Sequence, residues 1–141
     1  MTVEGGDKLA RKLQMIAEET ARKHMRECAL EGAEVLRKEV EVLAPRKTGT
    51  LAKNIYKEIK TQTKSRVEVY VGPGGKGWYG ALVEDGHAVT KSVKKGSRVG
   101  ARVVGHAAPH PFIRPAFDAK TNEAEKAFED ELRKRLKIYE E

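Results

Sequence analysis

One helical pattern without a proline dominates the first third of the chain. Between Asp7 and Leu43 the larger or apolar positions recur at steps of mostly three and four, which places them along one stripe of a helix. At about 1.5 Å per residue, a helix over residues 7–43 would span roughly 55 Å. A domain of 141 residues is too small to cover that length alone. We therefore expect either a break near Gly32 or a part of the helix that packs on another chain. The stripe consists of Leu9, Leu13, Ile16, Thr20, His24, Cys28, Val35, Leu36, Val40 and Leu43.

A proline and a glycine end this helix. Pro45 cannot continue it, because it lacks the N–H group that a helix interior needs. Gly49 permits a turn with positive φ. Thr50 can then cap a short helical turn that runs through Asn54.

Two short alternating segments follow the turn. Residues 55–63 and 66–71 each place polar and apolar side chains on opposite faces, as a half-buried strand does. The second segment alternates most clearly, with Val67, Val69 and Val71 on the same face. We expect an antiparallel hairpin with one buried face.

A segment with two prolines precedes the last helical pattern. Pro111 and Pro115 each disfavour helical geometry in the residue before them, so residues 110–114 should be extended. Pro115 should then be the first residue of a helix that runs to about Tyr139, since a missing N–H group costs nothing there. The apolar residues Phe112 and Phe117 indicate that this segment is pinned to a core.

The order of these patterns predicts an α+β fold formed by one domain over residues 1–141. It comprises a long N-terminal helix, a small antiparallel sheet with an inserted basic loop or ribbon, and a long C-terminal helix packed on the sheet. Residues 89–93 and 101–104 can form the two strands of the ribbon. The long polar stretch over residues 87–106 is expected to be mobile.

The net charge of +7 is concentrated in the middle of the chain. Residues 86–106 carry five basic side chains and no acidic one, namely Lys91, Lys94, Lys95, Arg98 and Arg102. Such a positive stretch indicates a phosphate-rich or acidic neighbour. Solubility charge on a mobile loop is an equally good interpretation.

The sequence contains no clear catalytic or metal-binding pattern. Cys28 and His24 lie on the apolar stripe, where a packed thiol and a half-buried imidazole are the usual interpretation, and neither has an orienting partner nearby in sequence. Between His87 and His110, a range that also contains His106, there is no cysteine or acidic residue that would complete a zinc site. We therefore expect no cofactor and no enzymatic activity.

Two further features limit where the protein acts. The single cysteine rules out an intrachain disulfide and fits a reducing cytoplasm. No apolar run approaches the roughly 20 residues of a membrane span. We expect synthesis in the cytoplasm and no membrane contact.

Four motifs that occur in a fixed order are the basis of a family resemblance. They are Ala44-Pro45-x-x-Thr48-Gly49-x-Leu51 leading to Ile55, the strand end Val71-Gly72-Pro73, Tyr79-x-x-x-Val83-Glu84-x-Gly86, and His110-Pro111-Phe112-Ile113-Arg114-Pro115-Ala116-Phe117. Over about residues 9–135, this set resembles the HK ninety-seven gene-product-ten-like family of long-tailed bacteriophages and prophages. One departure is Asp85, where the family usually has an aromatic residue.

The resemblance implies a structural virion protein of the neck or tail, made in the bacterial cytoplasm, that joins or completes the head–tail junction. It implies a homo-oligomeric ring, commonly a hexamer, around the DNA channel. The partners would be neighbouring head-closure or connector proteins and tail proteins, with possible non-specific contact to duplex DNA. The alternative from the charge alone is a sequence-independent nucleic-acid-binding module outside any virion.

Candidate contact residues follow from this interpretation. The five basic residues from Lys91 to Arg102 are expected to face DNA or an acidic neighbour, and His110 and Arg114 to lie between subunits. Trp78, Tyr79, Phe112 and Phe117 are expected to form subunit core or contact, with core packing favoured for the tryptophan. A hydrolase site that pairs a histidine with Glu84 or Asp85 is the weakest alternative, since nothing in the spacing requires it.

Overall fold

The fold is α+β, as expected from the sequence. A computed structural model describes residues 6–91 and 101–137. The expected small antiparallel sheet and the expected ribbon are both present, as two separate two-stranded sheets, β1–β2 and β3–β4. The elements are α1 (Gly6–Leu43), α2 (Thr50–Lys53), β1 (Ile55–Gln62), β2 (Val67–Pro73), a 3₁₀ turn (Gly75–Gly77), α3 (Gly80–Asp85), β3 (His87–Lys91), β4 (Arg102–Ala107) and α4 (Ile113–Lys137).

The described residues group into two compact units, each with its own contacts. The first unit takes its residues from Met1–Val35, Lys57–Tyr70 and Thr121–Glu141. The second unit comprises Leu36–Tyr56 and Val71–Lys120. Four elements (α1, β1, β2 and α4) contribute residues to both units.

Helix α1 is continuous from Gly6 to Leu43, so of the two alternatives left open by the sequence, the break near Gly32 is wrong. Gly32 instead allows helices α1 and α4 to approach each other closely. A Cβ atom added at Gly32 would lie 2.9 Å from the backbone oxygen of Ala124 and 3.6 Å from Cβ of Phe128, both on α4. Because glycine has no side chain, the α4 backbone can lie directly against α1 here.

Ion pairs accompany this helix contact in the first unit. Arg135 on α4 pairs with Glu27 on α1 and with Glu131, whose Oε1 atom lies 2.8 Å from Arg135 Nε. On β1, the Nζ atom of Lys57 donates to the carbonyl oxygen of Leu30 at 3.0 Å and lies 2.8 Å from Glu34. These pairs attach α4 and β1 to the same half of α1.

The second unit has the larger apolar core. Its most buried large side chains are Phe112, which is 1% exposed, and Val40, which is fully buried. Six further aliphatic side chains are buried in this unit, namely Ala44, Leu51, Ala52, Ile55, Val71 and Ala116. By contrast, the buried apolar residues of the first unit are Cys28, Ala33 and Ala124.

The turn after α1 agrees with the sequence-based prediction except at the N-cap of α2. Gly49 has a φ of 71°, which confirms the expected left-handed turn. Thr50 is the first residue of α2 rather than its cap, and Gly49 takes the N-cap position. The hydroxyl of Thr48 accepts a hydrogen bond from the backbone N–H of Thr50 at 3.4 Å.

The β1–β2 hairpin forms with the expected turn, closed by the N–H of Thr63 donating to the carbonyl of Arg66 at 2.8 Å. Only Val71 of the three valines is buried. Val67 and Val69 are half-buried, as are their polar and aromatic neighbours Glu68 and Tyr70. The clean division into a buried and an exposed face is therefore wrong, because a two-stranded sheet offers little cover to either face.

Helix α4 begins at Ile113, two residues before the start expected at Pro115. Pro115 is thus the third helical residue, a position whose N–H group also has no partner within the helix.

In the described ranges 6–91 and 101–137, we find no helix with the length and apolar character that crossing a bilayer requires.

The glycine at the α1–α4 contact gives a stability prediction. Gly32→Ala should lower the free energy of unfolding by about 1–2 kcal/mol, because the added methyl group would overlap a backbone oxygen that cannot move alone. Gly6→Ala is the matched control, since a Cβ atom there meets nothing within 4 Å. Chemical denaturation of both variants measures the difference. A Gly32→Ala variant at least as stable as the wild type would contradict the close helix contact.

Candidate functional site

The start of α4 has no cap within its own segment. The residues just before it are His110, Pro111 and Phe112, and none of their side chains is among the usual N-cap acceptors. The first N–H groups of a helix have no acceptor inside the helix, and leaving them buried and unpaired is costly. An acceptor must therefore come from elsewhere in the chain.

The carboxylate of Glu84, on the last turn of α3, supplies this acceptor. Its Oε2 atom accepts hydrogen bonds from the backbone N–H groups of Phe112 at 2.7 Å and Ile113 at 2.9 Å. Its Oε1 atom accepts from the N–H of Arg114 at 3.1 Å. Glu84 is only 8% exposed and is the one buried charged residue of the described part of the chain. The negative charge also faces the positive end of the α4 dipole.

The hydrogen bonds decide the protonation state of this carboxylate. Burial by itself raises the pKa of Glu84, but the three backbone hydrogen bonds and the charge of Arg114 outweigh it and hold the pKa below its ordinary value. Glu84 is therefore ionised at neutral pH. With both oxygens engaged by backbone donors, it serves as a helix cap and is poorly placed to act as the acid of a hydrolase.

The segment just before α4 is held close to α3 and Gly86 by a second set of contacts. The backbone N–H of His110 donates to the carbonyl of Val83 at 2.8 Å. Gly86 has a φ of 73°, and a Cβ atom there would lie 2.7 Å from the carbonyl oxygen of Ala107. Only glycine suits this position, because it combines a left-handed conformation with a close backbone approach.

The two residues expected between subunits flank this cap at the surface. His110 is exposed. The side chain of Arg114 is 79% exposed and lies 3.7 Å from that of Asp85, which is 69% exposed. Such an exposed pair contributes little to stability. Arg114 therefore supports the fold through its backbone N–H, while its guanidinium is available at the surface.

The expected ribbon is present, with β3 and β4 paired antiparallel. Its strands, His87–Lys91 and Arg102–Ala107, lie about two residues from the positions predicted. A register shift occurs between Val89 and Thr90. All five residues of β3 are exposed, as is most of β4. The ribbon therefore stands in solvent on both faces, with Val103 and Val104 more than half exposed.

The basic residues expected to contact DNA divide into two groups. Lys91 and Arg102 lie directly opposite each other at the end of the ribbon, and both are exposed. Like charges at directly opposite positions destabilise a strand pair. Lys94, Lys95 and Arg98 lie outside the described residues, in the segment that connects the two strands.

The aromatic residues differ from expectation at one position. Phe112 is buried, which confirms its core role, while Tyr79 and Phe117 are half-buried. Trp78 is 70% exposed, so core packing is the wrong interpretation for it. Its ring and that of its neighbour Tyr79 form a T-shaped pair, with 6.2 Å between the centroids and 88° between the planes. Because tryptophan is enriched among the residues that contribute most to protein interfaces, Trp78 is a candidate contact residue.

The thiol and imidazole on α1 show no catalytic arrangement. Cys28 is fully buried, and burial raises its pKa. A buried neutral thiol is a poor nucleophile. Nδ1 of His24 lies 3.3 Å from Nη1 of Arg135, within the ion-pair cluster of the first unit. Within residues 6–91 and 101–137, no three metal-ligating side chains form a possible metal site.

Sequence reasoning missed the role of Glu84. A signal was available, because the segment before α4 contains no capping side chain and its N–H groups needed an acceptor. The identity of that acceptor was not accessible, since Glu84 lies 28 residues before Phe112 in the chain.

The cap gives a second stability prediction. Glu84→Ala should lower the free energy of unfolding at neutral pH by about 2–3 kcal/mol, because three backbone N–H groups lose a charged acceptor. Asp85→Asn is the matched control, since it removes the same charge from the adjacent exposed residue and should cost less than about 0.5 kcal/mol. Urea denaturation compares the two. Equal losses in both variants would contradict the capping role.

The pH dependence of the same unfolding transition gives a further control. The pKa of Glu84 is lower in the native state than its ordinary value of 4.5. Its stabilisation is therefore complete above that ordinary value and is lost as the pH falls through the lowered native pKa. Glu84→Gln should remove this part of the acid destabilisation, whereas Asp85→Asn should retain it.

Comparison with known proteins gives a family match over the first part of the chain. The family model described as "Bacteriophage HK97-gp10, putative tail-component" matches residues 7–86, which is more than half of the chain. Searches of curated proteins and of solved structures returned no match. The matched region contains α1 to α3 with Glu84, and it ends before the ribbon and the segment around Phe112.

Proposed function

The chain belongs to the HK97-gp10 family of bacteriophage tail components, and we propose that it joins or completes the head–tail junction of a tailed phage or prophage. The observation that carries this proposal is the family match over residues 7–86. A tail component is a structural protein of the virion that acts by contact with other phage structural proteins. Membership of such a family agrees with the expectation that the chain is not an enzyme.

We propose a ring of identical subunits, commonly a hexamer, around the DNA channel. A ring requires a heterologous interface, in which two different surfaces of each subunit meet and the rotation closes. The exposed side chain of Trp78 supports one such surface, since tryptophan is enriched among the residues that contribute most to protein interfaces. The partners would be further copies of the chain together with head-closure or connector proteins and tail proteins.

The basic end of the ribbon is proposed to face DNA or an acidic neighbour. Lys91 and Arg102 repel each other across the strands, and an anion close to both would offset that repulsion. The three basic residues of the connecting segment would add to the same positive surface. Phosphate attraction of this kind needs no sequence readout, which suits a channel that DNA of any sequence must pass.

His110 and Arg114 are proposed to contact a neighbouring subunit. Both side chains are exposed beside the α4 cap, and Arg114 carries a guanidinium that can pair with a carboxylate of another copy. Because its backbone N–H bond to Glu84 does not depend on the side chain, a contact role can be separated from a folding role by mutation.

Deletion of the gene in its phage tests the proposal. We expect full heads and separate tails, and expression of the wild-type chain from a plasmid should restore joined virions. Arg114→Ala should restore fewer virions than the wild type, although its unfolding transition should differ by less than about 1 kcal/mol. Lys126→Ala, another exposed basic residue on α4, is the control. Normal virions from the deletion would refute the proposal, and equal loss of folding and assembly in Arg114→Ala would leave Arg114 a purely structural residue.

A nucleic-acid-binding module outside any virion is the second candidate, favoured by the two like charges, Lys91 and Arg102, that face each other at the ribbon end. Here the free protein should bind duplex DNA tightly, with an affinity that falls steeply as salt rises. The proposed virion role instead predicts weak or absent binding by the isolated subunit. Fluorescence anisotropy with a duplex of random sequence, over a salt series, separates the two.

Matched charge variants make this measurement specific. Replacing Lys94, Lys95 and Arg98 with Gln should abolish whatever DNA binding the free protein has, if the ribbon carries it. Replacing Lys126, Arg133 and Lys134 on α4 with Gln removes the same number of charges and should have a much smaller effect. Equal effects of both triple variants would show that only net charge matters.

A further inference from the structure

The N-terminal part of α1 carries an apolar stripe that the described residues leave uncovered. Leu9, Leu13 and Ile16 are 60%, 59% and 60% exposed. The same stripe continues along the helix to Cys28, which is fully buried in the first unit. Every residue from 6 to 17 is exposed. The helix thus changes from a solvated rod to a packed element along a single face.

The occupied half of the stripe shows which kind of element suits it. Helix α4 runs antiparallel to α1, since Ala124 lies at Gly32 while Arg135 lies at Glu27. The described part of α4 ends at Lys137. The exposed part of the stripe thus continues the face of α1 on which an antiparallel helix packs.

We propose that the N-terminal half of α1 in a second copy of this chain covers the stripe, antiparallel to the first. With the two helices centred between residues 14 and 15, Leu13 of each copy lies opposite Ile16 of the other. Leu9 then lies opposite Thr20 of the second copy. These positions have the a and d spacing of a coiled-coil seam, so the apolar side chains of both helices meet along one line.

The charges beside the seam are self-complementary in this orientation. Lys12 and Glu19 are seven residues apart, so they lie on the same flank of the helix, and both are exposed. In the antiparallel pair, Lys12 of each copy faces Glu19 of the other along this flank, with an axial offset of two residues, or about 3 Å, which both long side chains can span. The two-fold symmetry therefore forms two ion pairs from one pair of residues.

The opposite flank is compatible with close packing. Ala10 and Ala17 occupy it, again seven residues apart. In the antiparallel pair, Ala10 of one copy faces Ala17 of the other along this flank, again with an axial offset of two residues. Small side chains let two helix backbones approach closely, which brings the central Leu13 and Ile16 side chains into contact.

A parallel pair in register lacks this complementarity. In a parallel pair, Lys12 of one copy faces Ala17 of the other, and Glu19 of one copy faces His24 of the other. The apolar seam alone would allow either orientation, so the charge pattern is what selects the antiparallel one.

This contact is separate from the proposed ring. An antiparallel pair is isologous and closes on itself, so it cannot propagate around a ring. Only about three helical turns of each copy take part, so the buried area is well below that of a standard protein interface. The dimer should therefore be weak and form only at high protein concentration. Its presence or absence does not depend on whether the chain acts at the head–tail junction.

Charge reversal in the purified full-length protein tests the contact. Sedimentation velocity over a concentration series should show reversible dimers of the wild type. Lys12→Glu or Glu19→Lys alone should weaken dimerisation about tenfold or more, because each places like charges together twice. The double variant K12E/E19K should restore it to near the wild-type level. A double variant as weak as either single variant would overturn the proposed pairing.

Cysteine cross-linking tests the orientation. Leu13→Cys and Ile16→Cys proteins, mixed under mild oxidation, should form the mixed disulfide in preference to either homodimer. Native Cys28 is fully buried and should not compete, which mass spectrometry of the cross-linked peptides checks. Preferential disulfides of each variant with itself would indicate a parallel pair and overturn the proposal.

A variant with two polar residues in the apolar stripe tests whether the dimer contact lies there. Leu13→Ser with Ile16→Ser should abolish dimerisation while retaining the helix content and the unfolding midpoint, since both side chains are exposed in the folded monomer. Dimers that persist unchanged in this variant, or a wild type that stays monomeric at the highest concentration, would overturn the proposal.

Discussion

The hydrogen bonds between the Glu84 carboxylate and the first N–H groups of α4 are the constraint on which the second unit depends. A buried charge is tolerated in a protein only when it is fully hydrogen-bonded, and here three backbone donors satisfy it. The same bonds fix the residue at which α4 begins. They place Phe112 in the core immediately before the helix and leave the side chain of Arg114 at the surface.

Several side chains of the types that form protein contacts are exposed to solvent in this chain. Leu9, Leu13 and Ile16 on α1 and Trp78 beside α3 are all exposed by more than half. The β3–β4 ribbon stands free, with two cations opposed at its end. A subunit of a larger assembly shows such features, because surfaces that neighbours cover need no cover from its own core. This agrees with membership of a family of phage tail components.

The side chains that stabilise the subunit are different from those that are exposed and available to partners. The buried residues of the second unit are mostly small or medium in size, and its one large buried aromatic residue in the described part is Phe112. Apolar side chains that would enlarge the core of a self-sufficient domain are placed outside instead. Arg114 shows the same division within one residue, since its N–H supports the helix cap and its guanidinium faces solvent.

The sequence alone determined the features that arise from local backbone chemistry. The apolar period predicted the two ends of α1, Pro45 and Gly49 predicted the end and the turn, and the weak alternation within residues 87–106 indicated a loop or ribbon, of which the ribbon is present. Each of these depends on neighbours within a few positions, so one stretch of sequence contains all the necessary information. The family resemblance came from the same local motifs read in order.

Only the tertiary structure decided the features that join distant parts of the chain. Gly32 permits a close helix contact rather than a break because Ala124 lies against it. Helix α4 begins before Pro115 because Glu84, far away in sequence, accepts its first N–H groups. Trp78 is exposed because no described element covers it, which its own sequence context could not reveal. In each case the outcome depends on which residues fold together, and composition and periodicity carry no record of that.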